Sequence, residues 1–167
     1  MKTSSLAPLL LTFLAAACGA EADVGGATPT GTAGMPAGAW SSAPLAGAID
    51  VKDARASHAD GDAVVVRGTL QDFGDLATFL LVEDSLEDCS ETGEDRCATP
   101  WDYCCEDPDR LRDWTINVEF MEGELPADWT LRGAYGLDHL SEVLVAGTLR
   151  FDEAGNMRLE AERMSMQ

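Results

Sequence analysis

The chain has 167 residues and a net charge of −19, with 30 aspartates and glutamates against 11 lysines and arginines. Nucleic-acid binding requires a basic face that displaces counterions from phosphates. The excess of acidic residues therefore excludes a nucleic-acid partner. The sequence also lacks a nucleophile elbow, a phosphate loop and a dinucleotide fingerprint. We therefore expect a binding or structural module without catalytic activity or cofactor.

The first seventeen residues have the layout of an export signal. Lys2 is followed by an apolar run from Leu6 to Ala17, which is the charge-then-apolar order of a secretory signal. The run is shorter than the about 20 apolar residues that span a bilayer. We predict that residues 1–17 are removed as a signal peptide and that the mature chain has no transmembrane helix.

Small residues precede a cysteine at the predicted cleavage site, which reads Phe13-Leu14-Ala15-Ala16-Ala17-Cys18-Gly19. This run resembles the lipobox of bacterial lipoproteins, whose cysteine takes a diacylglycerol before cleavage. The resemblance implies a lipid-anchored cell-envelope protein with Cys18 as the attachment residue. It also implies the outer membrane, facing the periplasm or the exterior, because Gly19 replaces the aspartate that retains lipoproteins at the inner membrane. The alternative is a secreted protein cleaved after Ala17.

Residues 18–48 consist almost entirely of Gly, Ala, Thr, Pro and Ser, with Trp40 as the only aromatic residue. Such a composition cannot bury a core and predicts a flexible linker, with Trp40 on the domain or at the membrane interface. Residues 49–167 have the length of about one domain. Five segments have strand patterns, namely 63–70, 78–82, 114–120, 142–151 and 157–164. The best candidate for a short helix or helical turn lies between residues 126 and 140.

The order and spacing of these strands resemble the OB-fold, with a long segment between the second and third strands. Val65-Val66-Arg67-Gly68-Thr69-Leu70 and Val145-Ala146-Gly147-Thr148-Leu149 look like its first and fourth strands, where a glycine lets the strand bend around a small barrel. The resemblance implies a mainly β, five-stranded barrel; an open β-sandwich is the alternative. OB-folds bind oligonucleotides or oligosaccharides, and the acidic charge leaves an envelope protein or glycan as the expected partner.

The predicted core consists of the inward-facing residues of these strands. They are Val64, Val66, Leu70, Phe79, Leu81, Ile116, Val118, Phe120, Val143, Val145, Leu149 and Leu159.

All remaining cysteines lie in one loop, at Cys89, Cys97, Cys104 and Cys105. The block from Cys97 to Cys105, C-x-T-P-W-D-Y-C-C, resembles one in an uncharacterised group of secreted or lipoprotein-like bacterial proteins. Outside the inner membrane, four cysteines predict two disulfides. A bond between the adjacent Cys104 and Cys105 would strain an eight-membered ring, so we expect each to pair separately with Cys89 or Cys97.

The alternative for these cysteines is a redox or metal site for zinc or copper, with soft ligands from Met157, Met164 and Met166. The absence of C-x-x-C arms favours disulfides. Trp101 and Tyr103 are candidates for a stacking surface that binds a sugar or peptide, or for the filling of a small core beside the cysteines.

Overall fold

The structure is a computed structural model that describes residues 34–89, 99 and 102–167. The proposed lipid-attachment residue Cys18, and Cys97 and Trp101 of the loop, lie outside the described residues. In the described part of the chain, no helix is long and apolar enough to cross a membrane.

The described chain forms two short α-helices and a sheet of seven strands. In chain order the elements are β1 (Ile49–Asp50), α1 (Val51–Ser57), β2 (Ala63–Phe73), β3 (Thr78–Val82), α2 (Pro108–Asp113), β4 (Thr115–Glu122), β5 (Leu125–Pro126), β6 (Glu142–Phe151) and β7 (Met157–Met166). Short 3-10 turns lie at Ala37–Ala39 and Ala134–Gly136.

The five long strands close into a barrel. β3 pairs antiparallel with β2 and with β4, β4 pairs parallel with β7, β7 pairs antiparallel with β6, and β6 pairs antiparallel with β2. The long strands are therefore neighbours in the order first, second, third, fifth, fourth, and back to the first. The predicted OB-like barrel is confirmed, and the pairing of β2 with β6 excludes the open sandwich because it joins the two ends of the sheet.

Alternating side chains explain why these segments form barrel strands. In β4, Ile116, Val118 and Phe120 are buried, whereas the residues between them are partly exposed. All twelve predicted core residues pack in the barrel core, eleven of them buried and Val64 partly buried. Gly68 of β2 lies close to the neighbouring strand, because a Cβ at this position would lie 2.5 Å from the carbonyl oxygen of Val82.

Two α-helices were not expected from the sequence. Helix α1 has 7 residues and buries only Val51 and Ala54, so it is too short to show a helical period. Helix α2 has 6 residues and none of them is buried. The region 126–140, predicted to hold a short helix or helical turn, contains the 3-10 turn Ala134–Gly136. The positive φ angles of Gly133 and Gly136, 75° and 81°, prevent a longer helix.

The linker packs against the barrel from Gly34 onward, before the predicted domain start at residue 49. Met35 and Ala39 are buried in the barrel core. The Trp40 ring stacks on Tyr135 with centroids 4.4 Å apart, and the Ser41 amide donates to the Met164 carbonyl at 2.8 Å. Trp40 therefore lies on the domain, one of the two positions that the sequence left open.

Candidate functional site

The cysteine loop leaves the barrel at the end of β3 and returns at the start of β4, where Val82 and Thr115 are paired. Glu83, only 3% exposed, closes the base of the loop, since its amide donates to the Trp114 carbonyl at 3.0 Å. The Glu83 carboxylate accepts hydrogen bonds from the amide and the ammonium of Lys52, at 3.1 and 2.8 Å. This bond to Glu83 raises the pKa of Lys52 above its ordinary value. The base of the loop is thus fastened to α1.

A small hydrophobic cluster, which we call the loop core, supports the loop outside the barrel. Val82, Leu86 and Tyr103 are buried in it, and Leu111 and Trp114 pack against them. The Arg110 guanidinium lies over the Trp114 ring at 4.3 Å from its centroid, a distance suited to a cation–π contact. Both ends of the loop therefore meet in one cluster.

Tyr103 belongs to this loop core and is 3% exposed. A stacking surface for a sugar or peptide requires an exposed ring face. Tyr103 therefore has the other role that the sequence suggested, which is to fill a small core beside the cysteines. Its suggested partner in stacking, Trp101, lies outside the described residues.

Three of the loop cysteines meet at one point, which we call the sulfur cluster. The Cys89 Sγ lies 3.3 Å from the Cys104 Sγ and 3.6 Å from the Cys105 Sγ. All three sulfurs lie within 4.8 Å of one another. Cys89 is buried, whereas Cys104 and Cys105 are exposed. The cluster therefore has a closed side and an open side.

Backbone hydrogen bonds bring the two arms of the loop together at these cysteines. The Cys89 amide donates to the Asp102 carbonyl at 2.8 Å, and the Glu106 amide donates to the Tyr103 carbonyl at 3.0 Å, across the turn that carries Cys104 and Cys105. The Asp102 carboxylate accepts the Tyr103 amide at 2.7 Å. The positions of the sulfurs are thus set by the backbone.

The sulfur separations do not confirm the predicted disulfides. A disulfide bond is about 2.05 Å long, and the Sγ of Cys89 and Cys104 are 3.3 Å apart. The predicted involvement of Cys97 lies outside the described residues. Hydrogen bonding to Cys89 and Cys104 raises the pKa of the Cys105 thiol to about 11. The Cys105 thiol therefore keeps its proton at neutral pH.

The methionines proposed as soft ligands lie elsewhere. Met157 and Met164 are buried in the barrel core, and Met166 is an exposed residue at the end of β7. The metal hypothesis is therefore wrong for Met157 and Met164, because both side chains pack the barrel core. The three cysteine sulfurs are the described residues that could hold a metal ion.

A second feature, absent from the sequence predictions, is a pair of hollows of about 420 and 330 Å³ beside β4 that share Asn117, Asn156 and Met157. Four arginines line them, namely Arg55, Arg112, Arg150 and Arg158. Carboxylates neutralise three of these arginines, as in the 2.9 Å pair of Arg150 with Glu160. The grouping of these arginines depends on the parallel pairing of β4 with β7. No local sequence pattern predicts that pairing.

No family model matches the chain, and no curated protein matches it. The barrel is similar to part of a putative aspartyl-tRNA synthetase from Leishmania major Friedlin, with 11% identity and a TM-score of 0.44. The match covers 77% of this chain and 23% of the synthetase, so the chain spans about a quarter of that protein.

Two smaller proteins are also similar. The hypothetical protein ygiW from E. coli has 14% identity and a TM-score of 0.39, over 76% of this chain and 97% of that protein. An OBody bound to hen egg-white lysozyme has 16% identity and a TM-score of 0.36, over 64% of this chain and 79% of the OBody. The assignment of the fold follows from the strand order described above.

Proposed function

We propose that the chain is a membrane-anchored lipoprotein of the cell envelope, and that its small barrel presents the cysteine loop as a binding module. The lipobox-like run ending at Cys18 supports the anchor. The outer membrane is the proposed location, because Gly19 follows the cysteine. An envelope protein or glycan is the proposed partner class.

The observation that carries the binding role is the way in which the barrel holds the loop. The Glu83 contacts with α1 and the loop core fix both ends of the loop. The exposed Cys104 and Cys105 then stand over the buried Cys89. A fixed mount that positions side chains at the surface is typical of a binding site.

The first prediction concerns the anchor. Cys18→Ser should abolish incorporation of a fatty-acid analogue and release the protein from the membrane fraction, because serine has no thiolate for thioether formation. Metabolic labelling and fractionation measure this. Cys105→Ser, the same chemical change in the loop, is the control and should remain labelled. A wild-type protein that takes no label and fractionates as soluble would refute the anchor.

A second candidate function is metal binding or redox chemistry by the cysteines. The observation that favours it is the convergence of three sulfurs within 4.8 Å. A disulfide joins only two sulfurs, whereas a metal ion can hold three. This candidate is compatible with the anchored module, because it specifies the chemistry of the loop that the barrel presents.

A further inference from the structure

We propose that the sulfurs of Cys89, Cys104 and Cys105 bind one thiophilic d¹⁰ cation, zinc(II) or copper(I). This inference rests on the second candidate function given above and specifies its ligands and its class of ion. Neither ion changes oxidation state on binding, and the three thiols release their protons to solvent as the thiolates bind. No oxidant is required.

The spacing of the sulfurs fits such an ion. Zinc–sulfur bonds of about 2.3 Å in a tetrahedral site place the sulfurs about 3.8 Å apart. The observed separations from Cys89 are 3.3 and 3.6 Å, within about 0.5 Å of that spacing, and all three sulfurs lie within 4.8 Å of one another. A disulfide from Cys89 would require a larger shift, to about 2.05 Å.

The surroundings favour a soft cation over calcium or magnesium. Hard cations need several oxygen ligands, and the carboxylates that flank Cys104 and Cys105 in the chain already have other contacts. Asp102 accepts the Tyr103 amide, and Glu106 forms an ion pair with Arg110 at 3.4 Å. Asp107 caps α2. Sulfur is therefore the ligand atom that this site offers, and thiolates select zinc or copper(I).

The buried cysteine and the two exposed cysteines have different roles in binding the ion. Cys89 is buried, and its amide is bonded to the Asp102 carbonyl, so its sulfur is positioned before the ion arrives. Cys104 and Cys105 are exposed and leave a route from solvent. Such preorganised ligands with an access route are what a specific metal site requires.

The test uses the full mature protein, extracted in detergent from its envelope under anaerobic, reducing conditions. Elemental analysis should find about one zinc or copper per chain, and its identity distinguishes the two ions. After a chelator has removed the ion, titration with zinc(II) or copper(I) should restore about one bound ion per chain. Cys104→Ser and Cys105→Ser should each lower the affinity for the ion by at least about tenfold. Cobalt(II) substitution should give thiolate-to-cobalt absorption that decreases in both variants.

The control is Glu87→Gln, which removes a charge from the same loop and keeps all three sulfurs. Its metal affinity should match that of the wild type. Reduced wild-type protein that binds neither ion would overturn the inference. Equal losses of metal affinity in Glu87→Gln and Cys105→Ser would also overturn it. Fatty-acid labelling of the same sample separates the two proposals: labelled protein that neither contains nor takes up metal contradicts only the metal site, and unlabelled, metal-bound protein contradicts only the anchor.

Discussion

Gly147 lies at a register shift between β6 and β7, next to Ala146. A Cβ at this position would collide with the carbonyl oxygen of Glu160 and with the Cα of Ala161. Both are backbone atoms of the neighbouring strand, so relief would require the strands to separate. The close approach of β6 and β7 at this position therefore depends on the absence of a side chain.

We predict that Gly147→Ala lowers the free energy of unfolding by about 1–3 kcal/mol, as expected for overpacking against the backbone. Urea unfolding of the full mature protein measures this. Gly38→Ala is the matched control, because a Cβ on Gly38 meets nothing within 4 Å, and it should change stability by less than about 0.5 kcal/mol. Equal stability of the two variants would contradict the close approach of β6 and β7.

At the scale of elements, the strands were predictable and the helices were not. The β-branched run of β2 and the alternation of β4 are local signals that match the observed elements. α1 and α2 are too short for a periodic signal. The N-terminus of α2 nevertheless has a local signal, since Asp107 precedes Pro108 and its carboxylate accepts the amides of Asp109 and Arg110.

We predict that Asp107→Ala removes about 0.5–2 kcal/mol of local stability, because the first turn of α2 loses its side-chain cap. Hydrogen exchange should show faster exchange in α2 and at Trp114, and unchanged exchange in β6 and β7. Asp109→Ala is the control, since the exposed Asp109 side chain pairs only with Arg112 among the described contacts. Uniformly faster exchange in the barrel would contradict an independent role for the cap.

At the scale of the whole molecule, the loop cysteines were predictable as a group, but their meeting point was not. Their positions suggested a linked unit, and the vicinal pair suggested separate partners. The convergence of Cys89 with both Cys104 and Cys105 depends on the pairing of β3 with β4 and on burial of Tyr103 in the loop core. Those are long-range contacts, and no spacing in the sequence encodes them.

The linker before the barrel is shorter than the sequence predicted. The linker was expected to extend to residue 48, but Met35 is already buried in the barrel core and Trp40 pairs with Met164 of β7. Residues 19–34 then connect the proposed anchor Cys18 to Met35 in the barrel core. In the proposed lipoprotein, the barrel and its loop are therefore held closer to the membrane surface than a linker of full length would allow.

The most direct test of the sulfur cluster is differential alkylation of the protein from its native envelope, denatured without reductant. The anchored module with a metal-bound loop predicts that Cys89, Cys104 and Cys105 react after a chelator alone, because removal of the ion frees their thiolates. Peptide mapping identifies each modified cysteine. Cysteines that react only after a reductant, with the chelator making no difference, would show that disulfides hold them and would contradict the metal-bound loop.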